Sequence, residues 1–159
     1  MSEHITSANL TLFQSSNQKP PLLLPKTLLK KASYFSDMEL EKINLAYYVA
    51  TQAHYGQKRL DGSPYITHPE EVVSILLDYN MDQQSICAGF MHDVLEDSDV
   101  SKSTLEKMFG KETISIVDGL SKLKKISFDN IAEKDATNFQ KMAMAMSKDI
   151  RVIVVKLCD

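Results

Sequence analysis

The chain has 159 residues, 43% hydrophobic and 25% charged, the balance expected of one globular domain with a real core. A net charge of −3 excludes a nucleic-acid grip built on a broad basic surface, while leaving room for a local basic loop that meets a small phosphorylated ligand. No apolar stretch is long enough to span a bilayer, and no basic region followed by an apolar block marks a secretory leader.

Residues 1–24 read as a flexible leader rich in Ser, Asn and Gln, in which Pro20 and Pro21 forbid a continuous helix, though its leucines can dock on the domain expected over 25–159. Ser36-Asp37-Met38-Glu39 is a capping-box signature, and Leu40, Ile43, Tyr47, Ala50 and His54 follow at helical spacing until Gly56. A polar loop over 56–64 carries Lys58 and Arg59. Pro69 is expected to open a second helix running to about Tyr79. Asp82 is expected to cap a third helix carrying Ile86, Phe90, His92, Asp93 and Val94. Ser101 is expected to cap a fourth ending at Gly110, and 111–124 to form another. A charged loop is expected over 127–136, and the Met-rich stretch 137–147 reads as core filling, with Phe139, Met142 and Met146 on one face. The last run, 150–157, is rich in β-branched residues, but no other segment offers a strand partner. A helix burying Ile150, Ile153, Val154 and Leu157 is therefore expected. The two cysteines, Cys87 and Cys158, sit in apolar runs without ligand-like spacing and read as buried free thiols in the cytoplasm.

Chemistry concentrates at His92-Asp93. On one continuous helix, His92, Asp93, Glu96 and Asp97 would crowd three carboxylates and an imidazole at a helix end, an arrangement that favours a cation. His68 and Asp159 complete a set of two imidazoles and two carboxylates that suits manganese, iron or zinc. Such an ion would serve a phosphohydrolase. Spacing alone leaves a solvated acidic helix end open as the alternative. His54, on an apolar face, reads as a satisfied core histidine or a partner of a ligand rather than a ligand.

In order, Ala53-His54-Tyr55-Gly56-Gln57-Lys58-Arg59, Gly62-Ser63-Pro64-Tyr65-Ile66-Thr67-His68-Pro69, Phe90-Met91-His92-Asp93-Val94-Leu95-Glu96-Asp97 and Lys156-Leu157-Cys158-Asp159 resemble the hydrolase domain of the RelA/SpoT family of stringent-response enzymes, a branch of the HD superfamily. The resemblance covers residues 37–159. It implies an all-α HD-domain fold and removal of pyrophosphate from the 3′ position of ppGpp and pppGpp, usually with Mn²⁺. By the same resemblance His68, His92, Asp93 and Asp159 correspond to metal ligands, Glu96 and Asp97 to the acidic pair that handles protons, and Arg59 with Lys58 to the basic loop that contacts the nucleotide. Leu60 stands where many relatives carry a second basic residue. Relatives continue past the position of Asp159, so the fold is expected to be truncated on its C-terminal side. Two other readings remain open: a metal- or alarmone-binding fragment without turnover, and an HD phosphohydrolase acting on another nucleotide. No nucleic-acid or membrane partner is expected, and the sequence does not set an oligomeric state.

Overall fold

The computed structural model describes residues 23–98, 100–124 and 148–159. The expected charged loop over 127–136 and the Met-rich stretch 137–147 lie outside the described residues. Within them the chain forms helices α1 (Lys26–Lys31), α2 (Asp37–Ala53), α3 (Thr67–Asp78), α4 (Gln83–Met91), α5 (Val94–Asp97), α6 (Lys102–Phe109), α7 (Lys111–Lys124) and α8 (Arg151–Cys158). Among the described residues the only β-type pairing is an isolated antiparallel bridge between Lys58 and Pro64. The fold is all-α, and no described helix is long and apolar enough to cross a membrane.

Local signals explain most boundaries. Ser36 opens α2 with its N–H and hydroxyl both on Glu39 Oε2, at 2.9 and 2.6 Å. The helix stops at Ala53, and the turn that follows needs the left-handed Gly56, φ 78°. Asp82 caps α4 by accepting from the Ser85 N–H at 2.8 Å, and Ser101 caps α6 through the Thr104 N–H at 3.2 Å. Leu24, within the expected leader, is buried, and the N–H groups of Leu23 and Leu24 donate to Asn44 Oδ1 at 2.8 and 3.2 Å.

Helix α4 is the centre of the domain. Every residue from Ser85 to Met91 is buried, as suits a helix that is apolar all round. It packs against α2, α3, α7 and α8. Phe90 lies wholly buried, edge-on to Tyr47 with ring centroids 5.3 Å apart. Gly89 lets α3 come close, since a Cβ there would stand 2.7 Å from Leu76 Cδ1. Helices α3 and α4 form an antiparallel hairpin through the turn at Tyr79–Asp82, where Asn80 takes φ 49°. The beginning of α3 and the end of α4 therefore share one end of the domain.

Three sequence expectations change. Helix α3 starts at Thr67 rather than Pro69, which places His68 inside its first turn; Pro69 is tolerated there because first-turn N–H groups have no intrahelical acceptor. The third helix does not continue through Asp97. It ends at Met91, turns at His92-Asp93, and restarts as the short α5, so His92, Asp93, Glu96 and Asp97 do not line one continuous helical face. The last segment is a helix, but its inward face is Val152, Ile153 and Val155, whereas Ile150 and Leu157 are exposed. Residues 152–155 are all apolar, so their pattern does not say which face turns inward. Packing against α7 decides it, through Gly119, where a Cβ would lie 2.9 Å from Val152 Cγ2.

Candidate metal centre

Three helix ends meet beside α4. His68 comes from the first turn of α3, His92 from the C-cap of α4, and Asp159 from the C-cap of α8. Val152, Val155 and Asp159 are spaced three and four apart, so the face of α8 that packs inward also carries Asp159 toward the imidazoles.

His92 Nε2 is the meeting point. It lies 3.1 Å from His68 Nε2, 3.1 Å from Asp93 Oδ2 and 3.2 Å from Asp159 Oδ1. Asp159 Oδ1 is in turn 3.0 Å from His68 Nε2. Donor atoms of His68, His92 and Asp159 all lie within 4.8 Å of one another. His92 and Asp93 are buried, while the His68 and Asp159 side chains keep 19% and 16% of their surface, leaving one side of the cluster open to solvent.

Fixed contacts orient this donor set. His92 Nδ1 donates to the Gly89 carbonyl at 2.8 Å, so in the neutral ring the lone pair of Nε2 faces the cluster. Tyr65 Oη donates to Asp93 Oδ2 at 2.6 Å. Lys156 pairs with Asp159 Oδ2, leaving Oδ1 for the imidazoles. Burial disfavours the charged form of His92, but the carboxylates of Asp159 and Asp93 and the Gly89 carbonyl outweigh it and push its pKa up to about 9. Hydrogen bonds from His68, then His92, hold Asp159 far below the usual carboxylate range. The cluster thus already attracts a positive charge. Donor atoms at about 2.1 Å from one ion, at right angles, stand about 3 Å apart. The spacings among His68, His92 and Asp159, 3.0–3.2 Å, fit that arrangement, whereas Asp93 touches His92 Nε2 without belonging to the group of three donors within 4.8 Å.

The other expected residues lie around this core. Glu96, half-buried on α5, accepts from Ser121 Oγ of α7 at 2.6 Å. Asp97 is exposed at the end of α5. Arg59 pairs with Glu71 at 2.8 Å, and Glu71 is one turn beyond His68 on α3. Lys58 is exposed in the same loop, whose backbone is held by the bridge to Pro64. His54 is buried as a core histidine and stacks on Tyr65 with centroids 4.5 Å apart. Only half its polar need is met: Nδ1 reaches Gln57 at 2.9 Å, and Nε2 has no partner among the described residues. Tyr65 and Ser121 were not singled out from the sequence. The signal for Tyr65 is its place one turn before His68, and that for Ser121 its place in the run Val117-Asp118-Gly119-Leu120-Ser121-Lys122-Leu123, which also resembles the family.

The HD domain profile matches residues 46–159, and the chain belongs to this family. It is 42% identical over 148 residues to the bifunctional (p)ppGpp synthase/hydrolase SpoT of Escherichia coli, covering 93% of this chain and 20% of that protein. Against the probable guanosine-3′,5′-bis(diphosphate) 3′-pyrophosphohydrolase of Synechocystis, identity is 49% over 114 residues, 72% of this chain and 15% of the relative. Against the GTP pyrophosphokinase of Myxococcus xanthus it is 43% over 131 residues, 80% and 17%. The chain spans 15–20% of the length of these curated relatives. The two cysteines are free, Cys87 buried and Cys158 half-buried.

Proposed function

We propose that this HD-domain chain is a metal-dependent hydrolase that converts guanosine 3′,5′-bis(diphosphate) and water to GDP and pyrophosphate. The proposed ligands of the metal are His68, His92, Asp93 and Asp159. The observation that carries the reading is the convergence of His68, Asp93 and Asp159 on His92 Nε2. The substrate is proposed from the names of the Escherichia coli and Synechocystis relatives. A mixed set of imidazoles and carboxylates suits Mn²⁺, which is the proposed ion. When bound, such an ion supplies Lewis acidity, acidifying water and withdrawing charge from a phosphoryl oxygen.

The chain's own residues then divide the work. His92 and Asp93, both buried, form the rigid wall of the site, and Tyr65 fixes the rotamer of Asp93. Glu96 is the proposed base that takes the proton of the attacking water, oriented by Ser121. Asp97, beside it and open to solvent, passes that proton out. Arg59 and Lys58 offset the negative charge on the phosphates, for which Arg59 must exchange Glu71 for the substrate. Water attacks the phosphorus bonded to the 3′ oxygen, the bond between that oxygen and phosphorus breaks, and the 3′ oxygen takes a proton from solvent to become the hydroxyl of GDP as pyrophosphate leaves. The cytoplasm is the proposed location, where free thiols such as those of Cys87 and Cys158 persist.

Product identity tests the reading. The chain, incubated with ppGpp and Mn²⁺ and resolved by ion-exchange chromatography, is expected to give GDP and pyrophosphate in equal amounts, with none formed in EDTA. Stepwise release of single orthophosphates, or no turnover with Mn²⁺, would contradict it.

A further inference from the structure

We propose that Arg151 is a positioning residue for the metal centre: it ties the start of α8 to the starts of α4 and α7, and so sets where Asp159 arrives. The inference rests on the reading of His68, His92, Asp93 and Asp159 as metal ligands. The Arg151 guanidinium serves three carboxylates from three places in the chain. Nη1 meets Asp82 Oδ2 at 2.8 Å, Nη2 meets Glu112 Oε1 at 2.7 Å and Asp149 Oδ2 at 2.7 Å, and Nε meets Asp149 Oδ1 at 3.0 Å. With only 18% of its side chain exposed, the guanidinium is better shielded than a typical surface ion pair.

The partners give this clamp its leverage. Asp82 also caps α4, the helix that ends at His92. Glu112 lies in the first turn of α7, which carries Ser121, the partner of Glu96. Arg151 is the first residue of α8, which ends at Asp159. Helices α4 and α8 therefore run side by side from one shared clamp to one shared site, and an eight-residue helix spans about 12 Å between them. A helix is stiff over that length, so a shift or rotation at Arg151 is delivered to Asp159. The planar fork of Arg151 meets its three carboxylates through Nε, Nη1 and Nη2 in fixed directions, whereas a shorter-reaching lysine ammonium replaces it as a point charge.

The test measures Mn²⁺ affinity by calorimetry in the 159-residue chain, with far-UV circular dichroism to follow helix content. Arg151→Met is expected to keep its helices and to bind Mn²⁺ about 10-fold more weakly or worse, the usual scale for groups that orient ligands. Arg151→Lys should recover part of the loss, and the visible spectrum of bound Co²⁺ should change in Arg151→Met. In an Asp159→Asn background the same change should alter affinity less than about twofold, because the effect passes through Asp159. Equal affinity in wild type and Arg151→Met overturns the inference. So does an equal loss with and without Asp159, which marks a general packing role. Should Arg151→Met not fold, the pair Asp82→Asn with Glu112→Gln, which keeps an N-cap acceptor on α4, must itself weaken binding severalfold, and unchanged affinity overturns the proposal. A wild-type chain that takes up no Mn²⁺ removes the metal reading itself, a result distinct from loss of the Arg151 effect alone.

Discussion

His68 and His92, 24 positions apart, face each other through their Nε2 atoms at 3.1 Å. With Nδ1 of His92 committed to the Gly89 carbonyl, two neutral rings would set lone pair against lone pair, or spend a proton between them. Asp93 and Asp159 add negative charge at the same point. A divalent cation between His68, His92 and Asp159 would relieve both conflicts, with Asp93 adding negative charge beside it, which is the physical case for the proposed centre.

The division between ligands and the proton acceptor gives one prediction. Glu96 accepts from Ser121 and is not in the donor group of His68, His92 and Asp159, so Glu96→Gln should leave Mn²⁺ affinity within about twofold while lowering the rate of pyrophosphate release by about 10²–10⁴-fold. Calorimetry and a pyrophosphate assay on the same preparation decide it. Loss of metal in this variant would make Glu96 a ligand and reassign its role.

Tyr65 gives a second. Its hydroxyl is a fixed donor to Asp93, and its ring stacks on His54. Tyr65→Phe keeps the ring and removes only the donor. Mn²⁺ affinity should fall about 10-fold, with little change in the melting temperature of the metal-free chain. A drop in metal-free stability with unchanged affinity would make Tyr65 a packing residue alone.

Gly119 gives a third. A methyl group there would meet Val152 Cγ2 at 2.9 Å, so Gly119→Ala should push α8 off α7 and cost about 1–3 kcal/mol in urea denaturation. Adding Val152→Ala should recover part of that loss, because the two positions share one contact. Additive effects of the two substitutions would contradict the contact.

What the sequence discloses follows from the range of each interaction. The caps at Ser36, Asp82 and Ser101 are legible because the two partners of each hydrogen bond sit within three residues. The break at His92-Asp93 is not, since neither proline nor glycine marks it and the apolar pattern runs straight through. The inward face of α8 is hidden for a similar reason: four consecutive apolar residues point in every direction, and Gly119 on another helix selects among them. Metal chemistry could be suspected from His92-Asp93, but the approach of His68 to Asp159 spans 91 positions and is set by tertiary packing. Arg151 reads as an ordinary charge at a helix start, because its partners are far apart in the chain.

A titration of Mn²⁺ into wild type and His92→Ala, with free ion read by electron paramagnetic resonance and melting temperatures taken in parallel, probes the centre itself. The wild-type chain should take up one Mn²⁺. At an ion concentration 100 times the dissociation constant it should gain about 2.7 kcal/mol of stability, a rise in melting temperature of roughly 5–10 °C. His92→Ala, lacking the nitrogen on which the other three side chains converge, should show neither uptake nor rise. Equal uptake and an equal rise in both proteins would contradict a metal centre at His92.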